Sequence, residues 1–197
     1  MDYAGLKTAI ASWMHRSDVA AVADDFIDLA EAFLSRNVRH PYMEARATAT
    51  ASSGWVAIPS DYMEIRELSY GGNPLQLAAN EVCQEHDTDS GDPRYYCVTD
   101  AQFRIAPASS TATEVEIVYL ASIPALSDSN TSNWLLEEAS DLYLMACLAQ
   151  ASVWARDADM LLMAKEQVAI HLAEVNARAD RIRYGDAPLT VIARGHS

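Results

Sequence analysis

The sequence predicts an α+β fold: a helical bundle built from both chain ends, an inserted antiparallel β module and an extended C-terminal arm. Three observations carry this reading. Apolar residues recur every three or four positions near both ends of the chain, the period falls to two between about residues 44 and 121, and a helix breaker at Gly185 precedes a short β-prone run. The expected organisation is therefore 1–43 with 133–185 as the bundle, 44–132 as β module and linker, and 186–197 as the arm.

Near the start, Leu6, Ile10, Trp13 and Met14 have helical spacing, and Ser17-Asp18 offers a cap to a second helix over about 19–38. In that second helix Val22, Phe26, Leu29 and Phe33 are expected to face the core. His40-Pro41 ends it, because the residue before a proline is driven out of the α region. Residues 44–52, 55–59 and 63–70 then read as strands, with Gly71-Gly72-Asn73-Pro74 as a hairpin turn and 75–78 as the return strand. A short helix over 79–86 and a loop over 87–93 precede three more strand candidates, 94–98, 102–107 and 113–121. Alternation of Arg66, Arg104, Glu114 and Glu116 with apolar neighbours suits a half-exposed antiparallel sheet. Residues 122–132 lack any period and connect back to the bundle.

Two long helices close the bundle. The first carries Leu135, Ala139, Leu142, Ala146, Ala149 and Val153, widened by Leu144, Cys147, Leu148 and Ala151 until it is apolar almost all round, so it should be buried on most sides. The second has Leu161, Val168, Leu172, Val175 and Ile182 on one face and Lys165, Glu166, Glu174, Arg178 and Arg181 on its polar side. Between them, Asp157 and Asp159 can cap a new first turn, which predicts a tight helical hairpin or kink.

The chain has 197 residues, half of them hydrophobic, enough for one core without staples. Its three cysteines, Cys83, Cys97 and Cys147, are odd in number and widely spaced, and read as reduced thiols rather than a disulfide framework. The N-terminal region lacks a signal layout, and no apolar run approaches the roughly 18 residues of a membrane span, so a soluble chain that is not exported is expected, with no membrane partner. The formal net charge of −14 argues against nucleic-acid binding through a basic patch. It is unevenly spread: Arg178, Arg181, Arg183 and Arg194 against Asp180 and Asp186 leave residues 178–197 at +2. That basic end is either an interaction arm or a helix terminus that favours cations. Leu189-Thr190-Val191-Ile192 fits a strand-adding or groove-docking arm, or a tail folded onto its own domain.

No catalytic signature stands out, whether nucleophile elbow, phosphate loop, zinc-protease helix or paired Cys motif. Cys83-x-x-His86 with Cys97 lacks a fourth metal ligand, and Glu137, Glu138, Asp141, Asp157 and Asp159 lack the Glu-x-x-His pairs of a di-iron bundle. His171 reads as a surface or satisfied histidine, and Tyr95, Tyr96 and Phe103 as sheet-face core. No catalytic residue, metal or cofactor is assigned.

Several stretches in order resemble the head-to-tail adaptor family of tailed bacteriophages, the group that includes tail tubular protein A of short-tailed phages. They are Tyr3-x-x-Leu6-Lys7-x-x-Ile10-x-x-Trp13; Phe26-Ile27-x-Leu29-Ala30-Glu31; Val56-Ala57-Ile58-Pro59-x-Asp61-Tyr62; Gly91-x-Pro93-Arg94-Tyr95-Tyr96; Phe103-Arg104-Ile105-Ala106-Pro107; and Ile123-Pro124-Ala125-Leu126-Ser127 leading to Asn133-Trp134-Leu135. The resemblance implies a structural, non-enzymatic virion protein at the head-tail junction, made in the host cytoplasm. It implies a homo-oligomeric ring, usually of twelve copies, between the portal protein and the tail (nozzle or tail tube) protein, with double-stranded DNA passing through it without specific binding. Carried onto this chain, the portal-binding arm would use Leu189, Val191 and Ile192 as anchors, with Arg183, Tyr184 and Arg194 beside them. The alternative is a monomeric regulatory module that binds a peptide or protein on its sheet; a hydrolase or metalloenzyme is a third.

Overall fold

A computed structural model describes residues 1–51, 53–108 and 113–185. The fold is mixed α+β and its described residues divide into two compact units, a helical one (1–42 with 123–185) and a sheet one (43–122).

In the helical unit, α1 (Tyr3–Trp13) starts at Asp2, whose carboxylate accepts from the Gly5 N–H, and buries Leu6 and Ile10 while leaving Trp13 at the surface. A 3-10 turn at Asp18–Ala21 leads into α2 (Ala23–Asn37). The buried face of α2 is Ala23, Phe26, Ile27, Ala30, Glu31 and Leu34, rotated from the stripe the sequence predicts. Leu29 faces solvent and Phe33 is only half-buried. The rotation has a cause in Glu31, whose carboxylate is drawn inward as acceptor for the Tyr143 hydroxyl at 2.5 Å and the Leu126 N–H at 2.8 Å.

The first closing helix is broken at Ala139 (φ −141°, ψ 60°) into α4 (Trp134–Glu138) and α5 (Ser140–Ala155). Asn133 caps α4 by accepting from the Leu136 N–H at 2.9 Å. Nine residues of α5 are buried, from Leu142 through Ser152, so the expected all-round apolar helix is indeed central, although Val153 is exposed. Arg156 takes a left-handed conformation and Asp157 caps α6 (Ala158–Tyr184) through the Met160 N–H. On α6, Ala164, Val168 and Ala179 are buried, while Ile182, predicted for the core face, is exposed. It lies on the last turn, beyond the part of α6 that buries side chains.

The sheet unit holds two four-stranded sheets where the sequence suggested one. Its strands are β1 (Glu44–Thr50), β2 (Trp55–Ala57), β3 (Tyr62–Tyr70), β4 (Asn73–Pro74), β5 (Gln76–Leu77), β6 (Tyr95–Thr99), β7 (Gln102–Ala106) and β8 (Glu114–Ala121), with α3 (Asn80–Glu85) after β5. The orders are β1-β8-β3-β4 and β2-β7-β6-β5. All pairings are antiparallel except β5 with β6, which is parallel. The predicted hairpin is shorter than expected: Asn73 and Pro74, assigned to the turn, form β4 against β3, while the predicted return strand 75–78 contributes β5, which pairs with β6 in the second sheet and not with β3. Leu68, Ile117 and Val115 of one sheet meet Val56, Phe103, Ile105 and Tyr96 of the other in a single core. Alternating burial along β8 places Val115, Ile117 and Tyr119 inward and Glu114 outward, as the period of two requires.

Candidate functional site

The predicted portal-binding residues begin at the end of α6. At 27 residues this is the longest helix among those described, and its N-terminus is capped by Asp157 while Arg181 and Arg183 occupy its last turn. Cations there offset the partial negative charge of unpaired carbonyls. Arg183 and Tyr184 are both exposed. Gly185 accepts φ 60° and ψ −159°, a conformation favouring glycine, and its N–H still donates to the Arg181 carbonyl. The helix therefore ends at Tyr184. Leu189, Val191, Ile192 and Arg194 lie outside the described residues.

Beside this terminus lies a cluster that sequence reasoning missed. His40 is fully buried; its ring stacks on Trp134 with centroids 4.9 Å apart and meets Tyr42 edge-on at 4.6 Å. The Tyr42 backbone N–H donates to His40 Nδ1 at 3.2 Å, so the neutral ring carries its proton on Nε2. Nε2 has no hydrogen-bond partner among the described residues, and the nearest acid, Glu138, stands 3.9 Å away. Arg178 reaches the other oxygen of Glu138, also at 3.9 Å. Burial lowers the His40 pKa; Glu138 raises it, and the positive charges of Arg178 and Arg183 lower it further. The His40-Pro41 dipeptide marked a helix end in the sequence, but nothing there announced an aromatic cage, because Trp134 lies 94 positions away.

The other chemistry-bearing side chains are engaged locally. His171 sits 3.4 Å from both Asp141 and Glu174 near the surface of the helical unit. His86 pairs with Asp89 at 2.7 Å and stacks on Tyr95. Cys83 and Cys97 are buried together with Ala106, and burial pushes the Cys83 thiol up to about 12, a poor nucleophile at neutral pH. Cys147 is buried in α5 with its thiol pKa raised by burial. Among the described residues no group of three or more His, Cys, Asp or Glu side chains could hold a metal ion, and no helix is long and apolar enough to cross a membrane.

Two clefts stand out. In the sheet unit an open polar cleft of about 460 Å³ is bordered by Tyr70, Gln76, Asp92, Arg94 and Tyr95. In the helical unit an apolar one of about 380 Å³ opens between Phe33 of α2 and Leu172 of α6, over the alanines of α5. Neither brings together a nucleophile and its activating base.

A comparison with protein families matches residues 1–192 to the family described as SU10 adaptor protein. No curated protein matches the chain.

Proposed function

The chain belongs to the SU10 adaptor protein family, a family of structural phage adaptors, and from that premise we propose that it is the head-to-tail adaptor of a bacteriophage virion. In this role it forms a ring of twelve copies that docks on the portal protein, joins it to the tail nozzle or tube, and lines part of the DNA channel. It is the functional counterpart of tail tubular protein A in short-tailed phages, built in the host cytoplasm and carried at the head-tail junction.

The observation that carries this reading is a family match covering 192 consecutive residues, both units included. The helical unit supplies the ring body, and the sheet unit faces the tail or neighbouring subunits. Residues 186–197 form the arm, leaving α6 beside Arg183 and Tyr184, with Leu189, Val191 and Ile192 anchoring in the portal and Arg194 pairing with its acids. A net charge of −14 suits the channel, since an acidic wall repels phosphates and leaves DNA no binding minimum from which it must escape.

Replacing Leu189, Val191 and Ile192 together by aspartate tests the arm. The variant should keep the wild-type helical signal and melting temperature and lose capture by immobilised portal. Undiminished capture would remove the arm from the account. One feature favours the second reading, a monomeric peptide-binding module: the polar cleft beside the short edge strand β5. A protein that stays monomeric and ignores portal, yet binds peptides in a manner abolished by Arg94→Ala, would establish it.

A further inference from the structure

Besides Ile182 on its last turn, α6 leaves two large aliphatic residues at the surface, Leu162 at 63% and Ile170 at 50% exposure. They stand four residues either side of Glu166, which puts the three side chains in a row along one face. The row is separate from the face that α6 buries through Ala164, Val168 and Ala179. Two bare aliphatics on a helix already packed by its other face gain nothing within the isolated subunit.

The same unit contains the complementary shape. Ala146 and Ala149 of α5 form the floor of the apolar cleft, Phe33 of α2 and Leu172 of α6 stand on either side, and Lys165 lies on its rim. Leu29, one turn before Phe33 on α2, is a further exposed aliphatic at 56%. Short side chains in the floor and tall ones in the walls make a trough for side chains of a neighbouring helix. Along α6 the trough runs from 165 to 172, about 10 Å, and the ridge from 162 to 170, about 12 Å.

We propose that the ridge Leu162-Glu166-Ile170 of one copy docks in the cleft between α2 and α6 of a second copy, so that subunits join head to tail. Ridge and trough lie on different sides of α6, so one subunit can use both at once, which makes the contact heterologous. Such contacts close into a ring when the rotation per subunit divides a full turn. Charge agrees with shape: Glu166 at the centre of the ridge would meet Lys165 on the rim, and neither has an ion-pair partner among the described residues. The proposal depends on the ring described above and adds the surface that builds it.

Lys165→Glu and Glu166→Lys test this in the full chain. Both side chains are exposed, and neither has a charged residue three or four positions away on α6, so the changes leave the subunit fold intact. Assembly is read by native mass spectrometry and negative-stain imaging, with and without portal protein. Each single variant should raise the concentration for half-assembly by about tenfold, as like charges replace a pair. Mixing the two variants should restore it, because every ridge then finds an oppositely charged rim, and the double variant K165E/E166K should assemble by itself. Ile170→Asp should abolish assembly in either background. Wild-type rings with all variants unaffected would overturn this contact and leave the adaptor reading standing. Impaired single variants without rescue on mixing would overturn the pairing of Glu166 with Lys165 and with it the proposed docking. A wild type that forms no ring, alone or on portal, would overturn the ring and this contact together.

Discussion

A carboxylate inside a helical bundle is costly unless it is hydrogen-bonded, and Glu31 Oε1 accepts from both the Tyr143 hydroxyl and the Leu126 N–H. Burial nevertheless raises its pKa, against the lowering effect of those hydrogen bonds. A raised folded pKa contributes stability that is complete below the unfolded value near 4.3 and is lost as pH rises through the folded value. Glu31→Gln, which keeps an acceptor and sheds the charge, should therefore be neutral or stabilising at pH 7. Glu31→Ala strands two buried donors and should cost about 2–3 kcal/mol in chemical denaturation. His40 has the opposite sign. Its pKa is lowered, so it contributes stability that is complete above the unfolded value near 6.5 and is lost as pH falls through the depressed folded value. A protonated ring would also oppose Nδ1–H to the Tyr42 N–H that it now accepts from. Melting temperatures measured between pH 7.5 and 5 should fall for the wild type, and less steeply for His40→Asn. At this scale the sequence was least legible. Of the predicted core stripe Phe26-Leu29-Phe33 only Phe26 is buried, because pattern reading ranks a carboxylate as outward and only the distant Tyr143 and Leu126 turn Glu31 in.

Among the elements, helix ends carry the most specific information. Asn133 accepts from the Leu136 N–H and donates to the Pro124 carbonyl and the Tyr143 hydroxyl, so it starts α4, fastens the preceding connection and touches the Glu31 network. Asn133→Ala should cost about 2 kcal/mol, more than an exposed cap alone, by thermal or urea unfolding. At the far end, Gly185 closes α6 in a conformation that favours glycine. Gly185→Ala strains a backbone at φ 60°, ψ −159° by about 1–3 kcal/mol and should lower the melting temperature by a few degrees and weaken portal capture. Strand positions and the α5–α6 turn were legible because period-two alternation and the Asp157 cap are local signals. The pairing of β5 with β6 was not. A two-residue parallel strand has no periodicity of its own, and its partner is chosen by the crossover through α3.

For the whole molecule, the α+β class followed from the change of period along the chain, and the family from ordered stretches that run almost end to end. What neighbouring subunits or the portal would grip was harder to read, since exposed Leu162 and Ile170 look like any helical core residue in sequence. Their exposure becomes evident only once Ala164 and Val168 are seen to take the inner face. The central claim is that copies of this chain assemble into a ring on the portal. Its most direct test is negative-stain imaging, with native mass measurement, of the purified full chain alone and mixed with portal protein from the same phage. The account predicts closed rings of a single symmetry, twelve copies per portal ring, seated coaxially on one portal face. Single subunits that leave the portal unadorned at high protein concentration would contradict it.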